Sequence, residues 1–384
     1  MDISGLKRWL SLILCVLSLL LLTGCWSHRE LNAMGIVSGV GVDLTENGQI
    51  QLTAQVITPT GAKAKGQEGG KESVRVLTSV GDTYFDAIRG FMNKSGDRLF
   101  YPHTQVIVFG EDMARAGLGP VLDFMQRDPE IRMLTWLLVT EGKAEDVIRG
   151  KSREDSISAM HMSRLIDDYK SASQSIPVNL LDFTNMIYVD GYEPTLGKVK
   201  YYEEKGEPTF DVEGGAVFKG DKFIGWLDGK EARSYLWAMD EVKGGIITYI
   251  PDENSFEDRI SFEIIRTKAK VKPILEEDGT LRVVVEVEAQ CNIGEVMNHG
   301  EITSTDEFQE LKQILTQCVI NETKVIVDKS QKELKSDILA FGLAVKRNYP
   351  QYWNEHKTEW ETIFPELDVE ILAHAQVNTR GSIR

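Results

Sequence analysis

Residues Trp9 to Leu22 form an apolar run without a charge, preceded by Lys7 and Arg8 and followed by Thr23, Gly24 and Cys25. A helix needs roughly 20 apolar residues to cross about 30 Å of hydrocarbon, whereas the apolar region of a secretory signal needs about 7 to 15. Residues 1–24 therefore read as a removable signal peptide, and the fold has to be built from Cys25 onward. Small residues immediately ahead of a cysteine have the form of a lipobox, in which the thiol takes a diacylglyceryl group and the cysteine becomes the mature N-terminus. Cys25 is the lipidation site this pattern predicts; the other reading is an ordinary signal cut elsewhere, with a free thiol. One acyl chain holds a protein to a bilayer only marginally and two hold it stably, at ~0.8 kcal/mol per buried methylene. Trp26 would then sit at the headgroup boundary, where an amphipathic ring is favoured.

Acidic side chains outnumber basic ones 59 to 43, and loss of Lys7, Arg8 and Asp2 with the leader widens the gap by one. Such an excess repels nucleic-acid phosphates and anionic headgroups alike. Nucleic acid is excluded as a partner, and the membrane anchor has to be covalent. The length remaining exceeds one core and predicts two or three domains, and an apolar fraction of 42% is that of a globular chain. With Cys15 removed and Cys25 acylated, Cys291 and Cys318 remain. A disulfide outside the cytoplasm and two small buried residues both account for them.

Two strand-like runs joined by Asn47-Gly48, the strongest short hairpin signal, open the body. Residues 58–73, rich in Gly and Lys without periodicity, read as a mobile loop. A strand (VRVLTSV) follows, then helix over 82–94 with Asp82 as its cap and Tyr84, Phe85, Ile88, Phe91 and Met92 at helical spacing, strand TQVIVFG, helix over 111–128, and strand IRMLTWLLVT. Residues 143–170 are helical with a break near Gly150, and Pro177 opens a short helix. This alternation predicts an α/β unit with partly parallel pairing. A change of pattern near residue 205 divides the chain into an N-terminal α/β region, 25–205, and a C-terminal sheet-plus-long-helix domain, 206–384. In the latter, a hairpin through Asp278-Gly279 has Val283, Val285, Val287, Ala289 and Cys291 on one face and Arg282, Glu286, Glu288 and Gln290 on the other, with Val284 the exception. A long helix from Thr305 to about Asn348 presents Phe308, Leu311, Leu315, Cys318, Val325, Leu334, Ile338 and Phe341 to the sheet, with Gly342 and Pro350 ending it, and a last strand closes the domain. The fold class is mixed α/β, α+β in its second half.

Chemistry is sparse. The glycines of GIVSGVGVD lie inside a strand, not between a strand and a helix N-terminus where a phosphate would be held, so they predict close backbone packing. His28, His103, His161, His299, His356 and His374 include no i,i+4 pair for zinc. Ser152 and Ser163 lack the surroundings of a nucleophile. Trp136, Trp226 and Trp237 fit a core better than a ligand pocket. No catalytic residue, metal or cofactor is indicated, and the chain reads as a non-enzyme.

The stretch GCWSHRELNAMGIVSGVGVD resembles the start of the Ger(x)C family, the lipoprotein C subunits of the nutrient germinant receptors of spore-forming bacteria. The matching residues are Cys25, Trp26, Arg29, Glu30, Leu31 and Asn32, followed by Gly39, Gly41 and Asp43; Ser27 stands where an acidic residue is common. The resemblance implies attachment through diacylglyceryl Cys25 to the outer face of the spore inner membrane, integral A and B subunits as partners, a non-catalytic role, and three α/β subdomains where the pattern shows two regions. Arg29, Glu30 and Asn32 are candidates for a juxtamembrane docking edge, and a solvated tether explains them equally. The alternative function is an extracytoplasmic solute-binding lipoprotein, which requires an apolar cleft between domains.

Overall fold

The computed structural model describes residues 34–58, 73–153, 155–252, 259–297 and 305–378, with residues 9 and 11–13 near the N-terminus. The strands are β1 (Met34–Leu44), β2 (Ile50–Thr58), β3 (Ser73–Gly81), β4 (Arg98–Phe100), β5 (Val106–Gly110), β6 (Trp136–Thr140), β7 (Thr195–Glu204), β8 (Glu207–Asp211), β9 (Gly215–Lys219), β10 (Lys222–Leu227), β11 (Ile246–Tyr249), β12 (Ile260–Leu275), β13 (Leu281–Val296) and β14 (Asp368–Asn378). A ten-stranded sheet has the order β10-β9-β7-β6-β5-β1-β2-β3, with β4 beside the start of β1 and β8 beside the end of β7. Its centre, β1-β5-β6-β7, is parallel and its flanks are antiparallel hairpins. A second sheet has the order β11-β12-β13-β14, with β14 parallel to β13.

Parallel strands joined by helices are covered on both faces, which is why β5 and β6 are apolar at consecutive positions. Val106 and Val108 belong to a core with the helices Ala144–Arg149 and Ser158–Asp167, while Ile107 and Phe109 face the helices Glu111–Ala116 and Gly119–Arg127. The second core runs on into the small sheet, where Val283, Val285, Val287, Ala289 and Cys291 are buried beneath the helix Thr305–Asp328. Their charged neighbours on β13 face outward, and Lys272 on β12 reaches Glu286 at 2.6 Å. The hairpins form at Gly48 (φ +78°) and Gly279 (φ +87°), backbone conformations that favour glycine. The Gly-rich loop reading at 58–73 falls largely outside the described residues.

Several local expectations are corrected. Thr83, not Asp82, caps the first helix, Tyr84–Gly90: its hydroxyl accepts the Asp86 N–H, while Asp82 accepts from the Gln49 amide at 2.7 Å. Residues 111–128 form two helices, because Gly117 (φ +119°) breaks the chain so that Asp221, in the β9–β10 turn, can accept the N–H groups of Leu118 and Gly119, both at 2.9 Å. Pro177 does not begin a helix. Residues 178–179 bond to β6 in extended form, and Asn179 caps the helix Leu180–Tyr188. The long helix turns its Leu311, Leu315, Val319, Ile326 and Val327 stripe inward and leaves Val325 exposed. It widens into a π-helical turn over Lys329–Leu334, from which Gln331 donates to the carbonyls of Phe364 and Leu367, and the chain breaks at Lys335 (φ +48°). Gly342 lies within the next helix, Phe341–Asn348, packed against Gly191, and Pro350 starts another, Pro350–His356.

Candidate functional site

Cys25, Arg29, Glu30 and Asn32 lie outside the described residues, and the described body begins at Met34, the first residue of β1. Gly39 and Gly41 of β1 face a helix layer. A Cβ on Gly39 would stand 2.6 Å from the Ala159 Cβ, and one on Gly41 would stand 3.1 Å from the backbone of Ala144. Hydrogen atoms at these positions let the helices Ala144–Arg149 and Ser158–Asp167 sit directly on the strand. The glycines serve close packing, as a strand context requires, and hold no phosphate loop.

Asp43 ends this motif with a tertiary helix cap. Its carboxylate oxygens accept the N–H groups of Ala144 (2.7 Å) and Glu145 (2.9 Å), which are free at a helix start. Burial pushes the Asp43 pKa up, and the two N–H donors act against that shift. Beside it, buried Gln55 on β2 binds the Ser158 hydroxyl and accepts the Ala159 N–H, fastening the same helices. Neither role has a local sequence signal, because each partner lies about a hundred residues away.

Two further polar clusters are largely buried, one of them between the helices of the two sheets. Arg233, on the helix Gly229–Ala238, donates through Nε to Glu322 of the long helix at 3.0 Å and through a terminal nitrogen to the Ile246 carbonyl at 2.9 Å, while Trp237 Nε1 donates to the same Glu322 at 2.8 Å. Asp337 accepts the N–H groups of Phe341 and Gly342 and of the Trp360 indole, and burial raises its pKa to about 6.

Ser152 and His161, set aside on the sequence, are brought together: Ser152 Oγ lies 2.6 Å from His161 Nδ1. The same hydroxyl donates to the Asp155 carbonyl at 3.3 Å and accepts the Asp155 N–H. The pair closes a turn. Cys291 and Cys318 are separate thiols, with pKa values pushed by burial, then by Glu322, to about 12 and about 11. Among the described residues no group of three His, Cys, Asp or Glu side chains is placed to hold a metal, and no helix is long and apolar enough to cross a membrane.

A cleft of about 600 Å³ lies between the two sheets' helices, floored by Trp136, Ile176, Met186 and Leu236 and edged by Lys170 and Arg347. The buried Tyr235 hydroxyl bonds to Tyr192 at 2.9 Å and Thr195 at 3.2 Å, and burial raises both tyrosine pKa values. Of the three tryptophans assigned to the core, Trp237 is there; Trp226 is half-buried beneath the Lys198 ammonium, 4.8 Å from its ring centre, and Trp136 lines this cleft.

Two family models match in succession: the spore germination protein N-terminal domain over residues 27–201, and the spore germination B3/GerAC-like C-terminal domain over residues 213–381. The chain is 28% identical to spore germination protein B3 of Bacillus subtilis (strain 168), covering 91% of this chain and 92% of that protein. It is 25% identical to spore germination protein KC of the same organism, over 98% and 96%, and 21% identical to spore germination protein GerQC of Bacillus cereus, over 98% and 99%. The crystal structure of the GerBC protein has the same fold, with a TM-score of 0.59 at 23% identity over 88% of this chain and 96% of that one. With both domain models matched in order and relatives aligned over nearly their whole length, this chain belongs to the Ger(x)C family of spore germination proteins.

Proposed function

We propose that this protein is the lipid-anchored subunit of a nutrient germinant receptor, held by diacylglyceryl Cys25 on the outer face of the spore inner membrane beside integral A and B subunits. The observation that carries this reading is the succession of two family matches, residues 27–201 and 213–381, beginning directly behind a lipobox cysteine. A two-chain anchor confines the acidic body near the bilayer, so its encounter with integral partners occurs at high effective concentration and weak contacts suffice. Arg29, Glu30 and Asn32 would form the docking edge nearest the membrane. The role is one of assembly or signalling rather than catalysis. The division near residue 205 is part of the proposal: the two family models meet between residues 201 and 213, although β9 and β10 still bond into the large sheet.

The test replaces Cys25 with Ala in spores. Loss of the protein from the membrane fraction together with a lost nutrient response is expected; an intact response with the protein gone from the membrane eliminates the reading. The cleft floored by Trp136 favours a second reading, a solute-binding lipoprotein. Its test is a rise in Tm with nutrient solutes that Tyr192→Phe abolishes.

A further inference from the structure

We infer that β14, the free edge of the small sheet, pairs antiparallel with β14 of a second copy of this chain, so that two four-stranded sheets become one.

Hydrogen-bond parity identifies the free groups. On β12 the N–H groups of Ile264 and Ala269 donate away from β13, to the Gly245 carbonyl at 2.9 Å and to the Asp240 carboxylate at 2.7 Å. Their partners on β13, Cys291 and Val287, therefore turn their own backbone groups toward β14. Val287 lies beside Ala373 in the parallel pair, so it bonds to Leu372 and His374. Val369, Ile371, Ala373, Ala375 and Val377 then point their N–H and C=O groups out of the sheet.

The other edges are blunted in the ways that prevent strand addition. β11 has 4 residues, and β10 has 6 with a register shift after Phe223. On β3 the Thr78 carbonyl accepts the Lys94 ammonium at 2.7 Å. β12 beyond Asp240 places Pro273, which has no N–H, at an outward position. β14 runs for 11 residues with neither Pro nor Lys, in unbroken register with β13. Its core-side residues Val369, Ile371, Ala373 and Val377 remain half-buried, and Leu372 on the opposite face is 38% exposed. One more strand would extend both layers.

The sequence of β14 fits itself. A two-fold axis centred on Leu372 sets Leu372 against Leu372, Glu370 against His374 and Asp368 against Gln376, and on the core side Ile371 against Ala373 and Val369 against Ala375. No like charges stand opposite one another. The same axis matches outward residues with outward residues, so each core-side pair exchanges both backbone bonds. Glu370 Oε2 accepts from Arg282 at 3.0 Å, while Oε1 and the His374 imidazole have no hydrogen-bond partner among the described residues.

The contact needs no lipid. Sedimentation equilibrium of the full mature chain, made without its leader and kept reduced, is expected to show a monomer–dimer equilibrium, with amide exchange over 369–377 slowing about fivefold as the dimer forms. Ala373→Pro removes one outward N–H and spares the bonds to β13; it is expected to stay monomeric with an unchanged circular dichroism spectrum. His374→Glu, at an exposed position, opposes two carboxylates on each side of the axis and is expected to weaken dimerisation about tenfold. Mixing His374→Glu chains with Glu370→Lys chains is expected to recover the loss, because the mixed dimer pairs opposite charges. A wild-type chain still monomeric at ~100 μM overturns the inference. So does a dimer that His374→Glu leaves unweakened, or a mixture that recovers nothing. Protection of β14 that appears only when another protein is present assigns the edge to a foreign strand and overturns it as well.

Discussion

Asp337 sets two opposing influences against each other in one buried carboxyl. Its Oδ1 accepts from Phe341 at 3.0 Å, and its Oδ2 accepts from Gly342 at 2.7 Å and from Trp360 Nε1 at 2.9 Å. Three donors favour the carboxylate, whereas desolvation favours the acid. Desolvation is the larger, and the pKa rises from 3.8 to about 6. A carboxyl that holds its proton more tightly when folded contributes stability that is fully present below its unfolded pKa and lost as the pH rises through the folded one. A shift of about two units is worth ~3 kcal/mol at ~1.36 kcal/mol per unit. Asparagine cannot ionise. It keeps an acceptor for two of the donors and turns its NH₂ toward the third, leaving a buried donor unpaired at ~1–3 kcal/mol. Asp337→Asn is therefore expected to be the less stable protein near pH 4, with the gap to wild type shrinking by about 2 kcal/mol toward pH 7, since pH 4 already lies just above the unfolded pKa. Urea midpoints followed by circular dichroism at intervals between those values measure the gap. A gap that widens with rising pH would refute the reasoning, because it would show that the three N–H donors outweigh desolvation.

The β1 motif offers a steric test: Gly39→Ala, whose methyl would stand 2.6 Å from the Ala159 Cβ, is expected to cost ~1–3 kcal/mol by overpacking. Adding Ala159→Gly should recover most of that loss, although this change alone costs about 1 kcal/mol in a helix; additive losses in thermal melts would disprove the contact. Asp43→Ala leaves two buried N–H groups unpaired and is expected to cost about 3 kcal/mol, with Asp43→Asn, which keeps one acceptor, losing about half as much; equal denaturation midpoints for the two variants would refute the cap. Glu322→Leu strands Arg233 and the Trp237 indole and is expected to cost ~3–5 kcal/mol, with much of this returned when Arg233→Met is added. A double-mutant cycle with no coupling would show that the cluster does not join the helices.

How much of the fold was legible depends on the range of each interaction. The alternation on β13 was readable because one face of that sheet is wet, and the glycine turns at Gly48 and Gly279 because left-handed backbone excludes most side chains. The unbroken apolar runs of β5 and β6 announced a sheet covered on both faces. β4 has too few residues for a period, and β8, as long as β5 but mostly polar or half-buried, holds to β7 through its pairing. The split helix at Gly117 depends on Asp221, and the inward stripe of the long helix on which way the small sheet lies beneath it.

Periodicity, turn chemistry and the lipobox pattern act through neighbours a few residues apart, so the amino-acid order alone settled the element types, the mixed α/β class and the glycine-bearing strand behind Cys25. Tertiary structure decided which strands share a sheet, that β14 runs parallel to β13, that Asp43 caps a helix across the fold, and that the second core continues from the large sheet into the small one. Those outcomes depend on burial of groups far apart along the chain, where the loss of water makes each unpaired donor or misplaced methyl costly and no local pattern records the partner.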